Sequence, residues 1–129
     1  MKRITILLAA AALVLAVSVP TVLASGDRGT RIVLKAAKAF PAAKGSAKSR
    51  ARPGERELEI EVEHVHRLAG KRVALFVAGK KLGTAKVNAF GAARIERNSE
   101  RGRFVPKISA GMGVRVRTAA SVLIVRGSF

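Results

Sequence analysis

Leu58, Ile60 and Val62 alternate with Glu57, Glu59, Glu61 and Glu63, the pattern of a half-buried strand whose successive side chains leave opposite faces of the pleat. A helix would scatter both sets around its circumference. Downstream, two apolar runs, residues 72–77 and 82–87, are joined by Ala78-Gly79-Lys80-Lys81, a spacing that predicts a hairpin with Gly79 at positive φ. Residues 88–91 read as a turn into a strand over 92–96, and 98–102 as a loop. Residues 104–108 read as a short extended segment, which Pro106 confines to an edge or bulge because proline lacks a ladder donor. Val114 and Val116 alternate with Arg115 and Arg117 before "VLIVRGSF" closes the chain, and residues 31–37 predict a first strand with Ile32 and Leu34 on one face.

Between that first strand and Glu57 the period is lost. Residues 38–56 mix Pro41, Gly45, Pro53 and Gly54 with alanine, serine and base, the composition of a flexible basic linker. Six to eight short strands at about ten-residue spacing predict an all-β domain, either a small antiparallel sandwich or a partly open barrel. The implied organisation is a signal segment over 1–24, a first strand plus linker over 25–56, and a β-sandwich core over 57–129.

The N-terminus changes the compartment. Lys2 and Arg3 precede an uncharged, mostly apolar stretch from Ile4 to Val19, then Pro20 and the small-residue exit Val22-Leu23-Ala24, the pattern of a signal helix cleaved after Ala24. The chain is therefore expected to be exported, extracellular or periplasmic. The alternative is an uncleaved anchor, since a stretch of about 20 residues can span a bilayer; membrane contact is expected only through that segment. With Lys2 and Arg3 removed from the 25 bases, 23 remain against eight acids, a net +15. That balance favours an anionic polymer or protein partner of a bacterial cell envelope. No cysteine is present, so stability rests on packing, and thiol chemistry is excluded. Tyr and Trp are absent too, and only Phe40, Phe76, Phe90, Phe104 and Phe129 can stack on a ring or base.

The punctuation Leu68-Ala69-Gly70, "VALFVAGKKLGTAKVNAFGAA", Val105-Pro106 and Gly113-Val114-Arg115-Val116 resembles that of immunoglobulin-like secreted sandwiches. The resemblance implies a binding or structural module and no activity. Within that frame, Lys44, Lys48, Arg50 and Arg52 on the linker, and Arg94, Arg97, Arg101 and Arg103 around the Asn98 loop, are the candidate polyanion contacts. Neither cluster carries interleaved aromatics beyond Phe104, so no sequence-specific nucleic-acid readout is expected.

The acidic strand has three readings. Glutamates two apart on one face repel, so bases on a neighbouring strand should settle them, chiefly Arg115 and Arg117 or Arg94 and Arg97. Exposed, the strand could instead pair with another protein in adhesion or assembly. It ends in His64 and His66, which would share a strand face and chelate a divalent metal. A closed site needs further donors, and a solvated strand end explains the two histidines more simply. Catalysis has little to stand on. Asp27 is the sole aspartate, no aromatic subsite accompanies the glutamates, and "SAGMGV" precedes a strand instead of opening a helix. No cofactor and no enzymatic activity are expected. Phe129 after an alternating strand has the form of an outer-membrane barrel terminus, but the aromatic girdle is missing.

Overall fold

Every stretch with a period of two forms a strand in the computed structural model, which describes residues 28–129. The signal helix expected over 1–24 lies outside the described residues. In chain order the strands are β1 Arg28–Ala36, β2 Lys44–Arg52, β3 Glu55–Glu63, β4 Arg72–Val77, β5 Lys80–Lys86, β6 Ala93–Asn98, β7 Gly113–Thr118 and β8 Leu123–Ser128. Two single 3-10 turns, His66–Leu68 and Ser99–Arg101, are the only helical segments among the described residues.

The strands form one sheet in the order β5-β4-β7-β8-β1-β2-β3-β6, with every neighbour antiparallel. Odd-numbered strands therefore run one way and even-numbered strands the other. The sheet curls into a nearly closed barrel, so that β5 and β6 come side by side without a ladder. Of the two expected architectures the partly open barrel holds, because one continuous strand order replaces two separate sheets.

The first strand is the corner of this barrel. β1 pairs with β2 from Arg28 to Leu34, then with β8 through Lys35–Arg126 and Ala36–Val125. Its attachment is firm. Leu34 fills the inside of the bend between two glycines: a Cβ on Gly45 would lie 3.1 Å from the Leu34 Cβ, and one on Gly127 2.8 Å from its Cδ2. The stretch read as a linker is corrected here, since nine of its residues are β2. The segment expected to be extended at 104–108 forms no strand, although its Val105 is buried. The hairpin holds, with a tighter turn than expected: Ala78 (φ 51°) and Gly79 (φ 80°) make the whole connection, the two positive φ values of a type I′ turn.

Leu58, Ile60, Leu75, Val73, Val77, Val114, Val116, Ile124 and Val125 point inward and are almost fully buried, and among the described residues no polar or charged residue is buried with them. Charge is confined to the outer wall. A barrel in lipid has the reverse arrangement, apolar outside and polar within, so the resemblance of Phe129 to a membrane-barrel terminus does not extend to the fold.

Candidate polyanion-binding face

Alternation on β3 sends all five of its glutamates to the outer wall, where β2 and β6 flank them. The register sets Lys44 opposite Glu63, Lys48 opposite Glu59, Arg50 opposite Glu57 and Arg52 opposite Glu55. On the other side Arg94 stands opposite Glu61. The side chains close into a lattice. Lys48 Nζ lies 3.8 Å from Glu59, Arg50 4.0 Å from Glu57 and Arg52 3.5 Å from Glu55, which also accepts 2.7 Å from Asn98 Nδ2. Arg94 donates to Glu59 and, at 3.0 Å, to Glu96, and so bridges two carboxylates that the register sets face to face. The hydrogen bond from Arg94 to Glu59, together with that carboxylate's charge, raises the Arg94 pKa above its ordinary value.

This lattice accounts for most of the bases that the sequence singled out. Lys48, Arg50, Arg52 and Arg94 are ion-paired on strands, not free on loops, and Lys44 is level with Glu63. Arg97 faces the gap between the sheet's ends, where its guanidinium reaches across to donate to the Leu82 carbonyl beside Gly83. Arg101 is exposed and stands 4.0 Å from Glu96, and Arg103 is exposed on the β6–β7 connection. Of the two arginine pairs expected to neutralise the glutamates, the one on β6 does so through Arg94, whereas Arg115 and Arg117 lie on β7, which is not a neighbour of β3. Nor is β3 a free edge for assembly, because β2 and β6 occupy its two sides.

The histidines are not on a strand face. β3 ends at Glu63, His64 turns the chain with φ 62°, and His66 opens the 3-10 turn, leaving the ring centroids 6.4 Å apart and tilted by 53°. Metal–nitrogen bonds of about 2.0–2.1 Å in a tetrahedral site would bring the centroids to roughly 5 Å. Among the described residues no third donor joins them to make a metal-holding group.

The rest of the wall is different in kind. Of the eight acids all but Asp27 fall on β3, β6 or the turn after β6, so β1, β4, β5, β7 and β8 contain none. Their register brings outward bases level with one another. Lys35 is opposite Arg126, Arg126 opposite Arg115, Arg115 opposite Phe76, and Phe76 opposite Lys81. Neighbouring strands lie about 4.8 Å apart, so four cations and one ring form a single row across five strands. Comparison with protein-family models, with curated proteins and with solved structures finds no match. The chemistry of the site therefore rests on its own geometry.

Like charges opposite one another on adjacent strands are destabilising, and no carboxylate among the described residues offsets this row. Two shallow depressions flank it and share Arg115 and Gly113, one reaching Phe76 and Arg117, the other Val33, Lys35, Arg126 and Ser128. Arg117 lies over the Phe76 ring, 5.4 Å from its centroid, and its Nε is enclosed with no protein acceptor. The sequence did hold one signal for this row: past Glu100 the chain carries bases and no acid. The members of the row, 35, 76, 81, 115 and 126, are brought together only by strand order.

Proposed function

We propose that this protein is an exported, non-enzymatic binding module of the cell envelope. Its outer wall over β1, β8, β7, β4 and β5 takes a linear anionic polymer. The observation that carries the reading is the registered row Lys35, Arg126, Arg115, Phe76 and Lys81 on five acid-free strands. Mutual repulsion along such a row is relieved when phosphate, sulfate or carboxylate groups lie over it, and release of the polymer's counterions favours binding further. Export is part of the proposal and rests on the Lys2-Arg3 start, the apolar stretch and the Ala24 exit. Recognition is proposed to be of charge spacing, because the row presents four cations at strand spacing and a single ring for stacking.

The mature chain from Ser25, run on immobilised heparin beside an unrelated basic protein of equal net charge, is expected to elute at distinctly higher salt. Elution together with the control would mean that the positive charge is general solvation and would refute the reading.

A further inference from the structure

The geometry points to a second binding surface, at one end of the barrel, that seats the protein on an anionic lipid bilayer. Because odd and even strands run in opposite directions, the β1–β2, β3–β4, β5–β6 and β7–β8 connections all emerge at the same end. They read "AKAFPAA" (37–43), "HVHRLAGK" (64–71), "VNAFGA" (87–92) and "AASV" (119–122). None contains an acid. Apart from one asparagine, one serine and the two histidines, they consist of apolar residues, glycine and bases.

Phe90 stands at the tip, 81% exposed. Its ring is presented by a tied turn: Asn88 Oδ1 accepts from the Phe90 and Ala92 amides at 2.9 and 3.1 Å, and the Asn88 amide donates to the Ala92 carbonyl at 2.8 Å. Val65 donates to the Gly91 carbonyl at 2.9 Å, which fixes this turn to the neighbouring loop. Val122 is also exposed, and Lys38, Arg67 and Lys71 project around the same end. The opposite end is built otherwise. There Phe104 is less exposed, at 55%, with Lys80 Nζ 4.6 Å from its ring centroid, and its long connection carries Glu100.

A bare aromatic ring on a tied turn, among four acid-free connections that carry Lys38, Arg67 and Lys71, complements acyl chains beneath anionic head groups. A dissolved polyanion would use the bases and leave Phe90 in water. The occupant is therefore a bilayer. This contact does not rest on the polymer reading, since it shares no residue with the row on the wall.

The chain lacks Trp and Tyr, so Phe90→Trp introduces a single fluorophore at an exposed position that burdens no packing. Phe104→Trp serves as its counterpart at the far end. With vesicles of phosphatidylcholine and phosphatidylglycerol, the Phe90→Trp protein is expected to show a shift of emission to shorter wavelength. Vesicles of phosphatidylcholine alone should leave it unchanged, and the Phe104→Trp protein should respond to neither. Lys38→Ser and Lys71→Ser should each weaken association roughly fivefold. An unshifted Phe90→Trp spectrum, a shift without the anionic lipid, or a shift at Phe104→Trp instead would each overturn the proposal. Retention on heparin is read separately and can stand or fall by itself.

Discussion

On the outer wall of β2, β3 and β6, Lys44, Lys48, Arg50, Arg52 and Arg94 each stand opposite a glutamate. On β1, β8 and β7 the outward bases Lys35, Arg126 and Arg115 stand opposite one another. Both walls cover one apolar core, and both use the same alternation to set their side chains outward. Their difference lies in what is left for solvent. The first wall satisfies its own charges and gains modest stability from each pair, whereas the second sets like charges opposite one another with no carboxylate among the described residues to offset them. Net charge alone cannot separate these two uses of lysine and arginine; register can.

That contrast makes variants on the two walls differ in sign. The largest effect on folding is expected for Glu59→Lys, which sets a third base between Lys48 and Arg94 and leaves Glu96 with a weakened bridge. Its melting temperature should fall by several degrees, a loss readable by circular dichroism. An unchanged melting temperature would mean that the lattice contributes nothing to stability.

Next is the gap between the walls. Arg97→Met removes the donor that spans from β6 to the Leu82 carbonyl and should cost about 1–2 kcal/mol in denaturant titration. Amide exchange is expected to speed up on β5 and β6 before it does on β1.

A smaller change of opposite direction is expected for Lys35→Glu, which gives Arg126 a cross-strand partner and should stabilise the fold by about 0.5 kcal/mol. The same variant should bind heparin less well. A rise in stability with a loss of binding is the signature of a wall held ready for an anion.

The smallest effect concerns pH. Arg94 has a folded-state pKa raised by Glu59, and a raised base contributes its stability fully below its unfolded value and loses it only as pH rises through the folded one. Both values lie far above neutrality, so Arg94 should make no stability change between about pH 6 and 9. A transition there that Arg94→Gln abolishes would contradict this.

How much of this was legible beforehand depended on side-chain size and on sequence distance. β3 and the β4–β5 hairpin announce themselves because Leu, Ile and Val mark every inward position. β2 does not, since its inward positions are Gly45, Ala47, Ser49 and Ala51. The corner at Leu34 crowds anything larger at Gly45, so the packing at this corner weakens the strand's apolar signature and makes it look like a linker. The same misreading displaced the site. The bases between 44 and 52 are clustered in sequence like those of a free basic loop, yet they are the ones that β3 neutralises. The unneutralised row joins residues from both termini and the middle of the chain, and no local window contains it.

The central claim is that positive charge on this barrel is divided into a neutralised wall and an available one. Its most direct test measures affinity for inorganic polyphosphate against salt for the chain from Ser25 and for two triple variants of equal charge. One carries Lys35→Ser, Arg115→Ser and Arg126→Ser, the other Lys44→Ser, Lys48→Ser and Arg50→Ser. The first should flatten the slope of log affinity against log salt by about 2, the value for three lost phosphate contacts on a single-stranded polyanion, while the second leaves it near that of the unmodified chain. Equal flattening by both would contradict the division.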